Sequence, residues 1–291
     1  MRTKLKGGSL SGTYLMDGFV RKECSLVENR EYGYNRWYSQ LKRLQRYNHL
    51  FPELFPRVLG YGVDGNMAYY DMEMVSGVNG YEFLKNWKPD EAIDTFFKKF
   101  IVAMSQMHSV QWESTPSPIN LYIHEEIDKK LFDYKLWTSG AFGLFRLELS
   151  SQYSEKKECF THGNLTLENV MYNQETGKIT FIDPYEENII DSRLCDYSQV
   201  LQSCHSHYEW YNEGKNGPIP SGVEYFRVLF HDTIYSNLSE ERKRTVDLLE
   251  ISQYIRMLPF KMRAGEESKA DFFYSHAIML YNQYQIKWSG R

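Results

Sequence analysis

The sequence predicts an α+β fold in two unequal parts: a small β-rich part with one helix over 1–76, and a larger, mainly helical part over 77–291. Two observations carry this division. Short β-prone runs separated by glycine-containing turns crowd the first part, with a single helix-like segment among them. Beyond it apolar residues recur at spacings of three and four, and one stretch, 161–183, interrupts that pattern with two short β-like runs.

Leu5–Ser11 and Thr13–Met16 predict a hairpin closed by the Gly7–Gly12 segment, and Phe19–Cys24 a third strand after the Asp17-Gly18 turn. From Glu28 to Tyr47 the spacing of Trp37, Leu41 and Leu44 is helical. Pro52 and Pro56 end that helix, and Val58–Tyr61 and Met67–Val75 predict two more strands. Gly77–Gly80 is a connector. Asp90–His108 then places Ile93, Phe96, Phe97, Phe100, Ile101, Met104 and Met107 on one helical face. Glu113–Leu121 predicts a loop, and Ile123–Leu149 a helix broken near Ser139-Gly140. After the 161–183 stretch come helices over 192–210, near 223–236, 239–257 and 266–288.

A net charge of −4 gives no global basic field, so nucleic acid is not an expected partner. The four cysteines lie far apart with no Cys-x-x-Cys pair, which suits a reducing compartment and argues against structural zinc. The first residues hold no apolar signal region and no apolar run reaches membrane-spanning length, so the expected setting is cytoplasmic with no membrane partner. Aromatic residues make up 16% of the chain, 23 of them Tyr, a richness best read as core filling.

The chemistry concentrates in 161–183. His162, Asn164, Asn169 and Asp183 alternate with apolar residues, and the Asn173–Gly177 turn separates β-like runs at Asn169–Tyr172 and Lys178–Ile182. That hairpin brings Asn169 and Asp183 together. An amide oxygen beside a carboxylate suits Mg²⁺ when phosphates complete its shell. Elsewhere, Gly8, Ser9, Ser11 and Gly12 at a hairpin tip could let backbone N–H groups approach phosphates, although such a turn alone is more often only a turn. Lys22 stands on an apolar strand, where a solvated lysine is the commoner case. Glu31, with Glu28 as a competitor, lies near the start of the next helix and could pair with Lys22.

The spacing of His162-Gly163-Asn164 and Asn169, followed by Ile182-Asp183, resembles the His-Gly-Asp-x-x-x-x-Asn loop and Ile-Asp metal motif of the aminoglycoside phosphotransferase and choline kinase superfamily. These are small-molecule kinases with a two-lobed, protein-kinase-like fold. The likeness covers nearly all of 1–210. It implies a nucleotide-binding lobe over 1–76 and, over 77–291, a helical lobe with catalytic loop, metal site and acceptor pocket. It further implies ATP and Mg²⁺ as cofactors, Asn169 and Asp183 as metal ligands, and Lys22 on the α/β-phosphates with Glu31 behind it. Gly8–Gly12 match the phosphate-covering loop. Glu73 C=O and Val75 N–H, in Met72–Val75, match the hinge that bonds adenine. His162 matches a scaffold residue of the loop, and Asp196 the aspartate that braces it, with Asp191 a second candidate. A protein kinase is disfavoured because Ile182-Asp183-Pro184 stands where Asp-Phe-Gly would, with no Ala-Pro-Glu after it.

One position departs from the pattern. Asn164 occupies the place of the carboxylate that orients the acceptor hydroxyl and takes its proton, and an amide is not a useful base near neutral pH. Three explanations compete: an engineered substitution that traps a substrate complex, a natural pseudokinase serving as a nucleotide-binding or interaction module, or another carboxylate, with Glu168, Glu186 and Glu187 in range. We favour the first, because Lys22 and both metal ligands are intact. For the small-molecule hydroxyl acceptor, His205, His207, Tyr208, Trp210 and Tyr211 offer an aromatic surface, although helix packing is the commoner role. A choline-like or aminoglycoside acceptor would draw on Glu125, Glu126, Asp128, Glu186, Glu187 and Glu209; a neutral sugar or sugar-derived metabolite is preferred.

Overall fold

The alternating pattern of the first part builds a five-stranded antiparallel sheet. Its strands are β1 (Thr3–Lys4), β2 (Gly12–Leu15), β3 (Phe19–Ser25), β4 (Val58–Asp64) and β5 (Met67–Glu73), in the order β1-β2-β3-β5-β4. The computed structural model describes residues 2–5, 12–27, 30–86, 89–113, 116–133, 141–185 and 188–290, with backbone only at 30–32, 133 and 141. The Gly7–Ser11 part of the predicted hairpin turn therefore lies outside the described residues, while β1 pairs with β2 through Thr3↔Leu15 and Lys4↔Tyr14.

Helix α1 (Arg30–Leu50) covers this sheet. Trp37, Leu41, Leu44 and Tyr47 recur at helical spacing and are all buried. Trp37 packs on Tyr70 of β5, with ring centroids 6.4 Å apart, because Ala68 and Tyr70 point to the same buried face of the strand.

The helical region begins after β6 (Val78–Asn79) and α2 (Gly80–Lys85). The predicted connector thus contains a strand. β6 pairs with β9 (Val170–Asn173), which pairs with β10 (Lys178–Phe181), giving the three-stranded sheet β10-β9-β6. Gly77 permits this approach: at φ +116° its missing Cβ would collide with the Tyr172 carbonyl oxygen. Helix α3 (Asp90–Met107) buries its predicted face, including Phe96 and Phe100, except that Ile101 is only partly covered. A short pair absent from the sequence reading, β7 (Gln111–Glu113) with β8 (Lys157–Cys159), joins segments on either side of the middle helices.

Those middle helices are α4 (Ile119–Tyr122), a π-helical turn (Ile123–Asp128), α5 (Lys129–Asp133) and α6 (Ala141–Gln152). The predicted 192–210 helix divides into α7 (Arg193–Cys204) and α8 (Tyr208–Asn212), because His207 takes a left-handed backbone at φ 58°. Helix α9 (Ser221–Phe230) leads through a second π-helical turn (His231–Tyr235) to α10 (Glu240–Arg263) and α11 (Glu267–Trp288). Phe226 of α9 closes the core against Phe96 and Phe100, at 5.7 and 5.8 Å. All four cysteines are buried free thiols. Among the described residues no helix is long and apolar enough to cross a membrane.

Candidate active site

Lys22 is the first residue to explain, since a lysine 4% exposed needs a counter-charge. Its Nζ donates to Asp183 Oδ1, joining β3 to the residue two beyond the end of β10. Gln40 of α1 donates to the same oxygen at 2.5 Å and to Pro184 O at 3.3 Å. The Tyr70 hydroxyl donates to Gln40 Oε1 at 3.0 Å, which fixes the orientation of the amide. Burial pushes the Asp183 carboxyl up, but the Lys22 ammonium, with Gln40, outweighs it and holds the pKa below the usual carboxylate range. Asp183 is held at φ 57°, a left-handed backbone that costs about 1–2 kcal/mol, and its side chain remains 44% exposed. Glu31, the predicted partner of Lys22, has its side chain outside the described residues, as does Glu28; Gln40 was not anticipated.

Across from this pair lies the 161–169 loop, held by one face of α7. Asp196, fully buried, accepts from His162 N and Gly163 N, each at 2.9 Å, and lies 2.9 Å from His108 Nε2 at the end of α3. One turn on, Gln199 accepts from Leu165 N at 2.6 Å and donates to Gly163 O at 2.6 Å. A turn later still, Ser203 Oγ accepts from Leu167 N at 2.9 Å and donates to Glu209 Oε1 at 2.7 Å. Positions 196, 199 and 203 share a helix face, and that spacing was the signal in the sequence that would have exposed Gln199 and Ser203. Gly163 is obligatory here: at φ +74° a Cβ would meet Asn188 at 3.0 Å and Tyr185 at 3.1 Å.

His162 is fully buried, and that burial lowers its pKa to about 4, so the ring is neutral. Its Nε2 lies 2.9 Å from Ile182 O, which can only accept, so Nε2 carries the proton and Nδ1 accepts from Asn164 N at 3.3 Å. The ring thus ties the loop to the residue before Asp183. A second tie runs through α1: Thr161 O accepts from Arg43 at 2.8 Å and from the Tyr47 hydroxyl at 2.6 Å, while Asp191 accepts from Thr161 Oγ1, Asn188 and Arg43 at 2.7, 2.9 and 3.2 Å. Asp191 therefore braces the loop at Thr161, next to the two residues that Asp196 holds.

Asn169 spends its amide N–H on Asn164 O at 2.8 Å, and Ile182 N donates to Asn169 O at 3.0 Å. Its Oδ1 has no hydrogen bond among the described residues. An amide oxygen so oriented, next to a half-open carboxylate on Ile182-Asp183, is an all-oxygen donor set that fits Mg²⁺ with phosphate and water completing the shell. Among the described residues no group of three or more His, Cys, Asp or Glu could hold a metal by itself. The Asn164 side chain is half-buried and makes no hydrogen bond among the described residues. At the predicted hinge, Glu73 ends β5 and its N–H donates to Arg57 O at 2.9 Å, while Val75 N–H takes no backbone partner among the described residues. Gly12 opens β2; Gly8, Ser9 and Ser11 lie outside the described residues.

Comparison with known proteins decides the fold. One solved structure, a candidate fructosamine-3-kinase from Haemophilus somnus 129PT, superposes with a TM-score of 0.64 at 14% identity, covering 98% of this chain and 90% of that one. A spectinomycin phosphotransferase solved with ADP and spectinomycin gives 0.54 at 11% identity, over 98% and 93%. A type VIII aminoglycoside-3'-phosphotransferase gives 0.53 at 18% identity, over 86% and 93%. This is the protein-kinase-like fold of the small-molecule kinases. No family model matches the sequence, and no curated protein matches it.

In this kinase-like fold the residues proposed for acceptor recognition are mostly engaged elsewhere. Glu125 is bonded by Lys129 at 2.6 Å, Glu126 by Arg256 at 2.8 Å and Asp128 by Arg146 at 2.7 Å. Glu209 is buried, and desolvation, with Glu168 nearby, raises its pKa to about 8. Glu186 and Glu187 lie outside the described residues. The aromatic group is packing: Tyr208 stands against Phe273 at 5.8 Å, Tyr211 against Phe272 at 4.9 Å, and His205 bonds Glu250 at 2.9 Å. Glu168 acts electrostatically on Tyr81, Tyr208 and Glu209, all of the helical region.

Proposed function

We propose that the chain is a Mg²⁺- and ATP-dependent phosphotransferase that moves the γ-phosphate to a hydroxyl of a small molecule, a sugar or sugar-like metabolite before others. The observation that carries this reading is the Lys22–Asp183 pair set beside Asn169 and a loop braced by Asp196. Phosphoryl transfer needs charge neutralised and the two oxygens held in line, with little covalent work for the protein. Lys22 would steady the α/β-phosphates, and Asn169 with Asp183 would hold Mg²⁺. The metal, when bound, supplies further positive charge at the phosphates. Glu73 C=O and Val75 N–H would receive adenine, Gly8–Gly12 would cover the phosphates, and Glu31 would back Lys22. Residues 1–76 would thus carry the nucleotide and 77–291 the acceptor. His162 and Asp196 act as positioning residues, keeping the loop in place.

Asn164 would accept a hydrogen bond from the acceptor hydroxyl but cannot take its proton at neutral pH. We read it as a substituted catalytic position. The same residue favours a second reading, a nucleotide-binding module without turnover. Asn164→Asp assayed for ATP turnover over a panel of sugars, amino alcohols and aminoglycosides separates the two. The phosphotransferase reading expects turnover with at least one acceptor, at least about a hundredfold above the unsubstituted chain. Nucleotide binding with no turnover in Asn164→Asp supports the module, and absence of both overturns the kinase reading.

A further inference from the structure

Close to the 161–169 loop stands Arg256, a residue the proposed reaction does not itself use. Arg256 lies on α10 and is 8% exposed. Its Nε donates to Glu126 Oε2 at 2.8 Å and its Nη1 to Gln253 Oε1 at 2.5 Å, while Nη2 has no acceptor among the described residues. The guanidinium lies over the Tyr185 ring, 4.7 Å from its centroid. Tyr185 lies two residues beyond Asp183 and touches the 161–169 loop: its N–H donates to His162 O at 2.9 Å, and its Cβ is 3.1 Å from where a Gly163 Cβ would stand. Arg256 is therefore one tyrosine ring away from the residue preceding Asn164.

Beyond the Glu126 carboxylate that pairs with Arg256, cations gather nearby. One turn along α10, Phe260 is approached by Arg263 at 4.9 Å, by Arg36 of α1 at 5.5 Å and by Lys130 of α5 at 5.6 Å. Arg36 is one turn before Gln40, which touches Asp183, so this cationic group borders the phosphate side as well. The acid that a cationic acceptor would need is spent: Glu126 is neutralised by Arg256 itself, and Glu125 and Asp128 by Lys129 and Arg146. Fixed in plane by a ring beneath and a carboxylate at one edge, the Arg256 fork is preorganised for a carboxylate or phosphate oxygen pair.

Building on the phosphotransferase reading, we propose that the acceptor is a hydroxylated acid, a sugar acid or sugar phosphate, whose anionic group is bound by Arg256 with Lys130 contributing charge. This replaces the neutral sugar preferred from sequence. Calorimetric titration of the unsubstituted chain, saturated with Mg²⁺ and a non-hydrolysable ATP analogue, tests it with D-gluconate, D-glucose 6-phosphate, D-glucose, choline and kanamycin. The expected result is binding by gluconate or glucose 6-phosphate at least about tenfold tighter than by the other three, the better of the two telling carboxylate from phosphate. In Arg256→Met/Glu126→Gln, which removes both buried charges together so that neither is stranded, that preference should vanish. The proposal is overturned if neither acid binds, if glucose, choline or kanamycin binds as tightly, or if the double variant keeps the preference. Nucleotide affinity is read in the same cell: a chain that binds the analogue but fails these criteria refutes the acidic acceptor alone, whereas one that never binds it refutes the phosphotransferase reading.

Discussion

The two sides of the 161–183 stretch are built in opposite ways. From the helical side, Asp196, Gln199 and Ser203 satisfy the backbone of 162–167 with short, buried hydrogen bonds. On the side of the first sheet, Lys22 and Gln40 converge on one oxygen of a strained, half-open Asp183. Bonds of the first kind are expensive to break because each partner is stranded without water. The second kind is an electrostatic arrangement that, on the proposed reading, a nucleotide and its metal would enter. The difference teaches that rigidity and charge are supplied by separate regions, so each can be removed without the other.

The largest expected effect follows from breaking the rigid side. Asp196→Ala strands His162 N, Gly163 N and His108 in the core, and should lower unfolding free energy by about 3 kcal/mol or more, read by urea denaturation. Next, Lys22→Met attacks the electrostatic side. It should weaken Mg-ATP binding by at least about tenfold in a titration while moving the denaturation midpoint far less than Asp196→Ala, because the Asp183 side chain keeps 44% of its surface in water. If the two variants lose stability equally, the contrast between the regions fails.

A smaller effect concerns Glu209 beneath the loop. Its folded pKa, about 8, lies above the ordinary glutamate value, so between about pH 4.5 and 8 the folded state holds a proton that the unfolded chain releases. The stabilisation is full below that window and lost as pH rises through it. Glu209→Gln, which keeps the Ser203 hydrogen bond without ionising, should therefore match the unsubstituted chain at pH 5 and exceed its Tm by a few degrees near pH 8.5. Equal Tm values at both pH values would show that Glu209 is not held protonated.

Much of this organisation was legible in the sequence wherever the signal was local. Strands β2 to β5 of the first sheet, the face of α3 and the 161–183 hairpin follow from periodicity and turn chemistry within short windows, whereas β1 falls at Thr3–Lys4, before the expected Leu5–Ser11. Asp196 and Asp191 were reached only through family resemblance, yet both meet the loop. Gln40 and His108 were not found because each acts on a residue distant in the chain. For Gln40 a pattern was present: Arg36, Gln40, Arg43 and Tyr47 share one face of α1 and together reach Phe260, Asp183 and Thr161. The pair β7 and β8 escaped because Lys157–Cys159 carries no β-rich alternation, and its partner is far away in sequence. In the acid list, Glu125, Glu126 and Asp128 are each paired with a cation, Glu125 with Lys129 at helical spacing and the other two with Arg256 and Arg146 on other helices, two pairings that no short window of sequence displays.

The central claim is that Lys22, Asp183 and Asn169 form a metal-dependent nucleotide site. Its most direct test is calorimetric titration of ATP into the unsubstituted chain with Mg²⁺ and then with excess EDTA, repeated on Asp183→Ala. The account predicts one ATP per chain with Mg²⁺, at least about tenfold weaker binding in EDTA, and a comparable loss in Asp183→Ala whether or not Mg²⁺ is present. ATP binding that is unchanged by EDTA and by Asp183→Ala, or no binding at all, would contradict it.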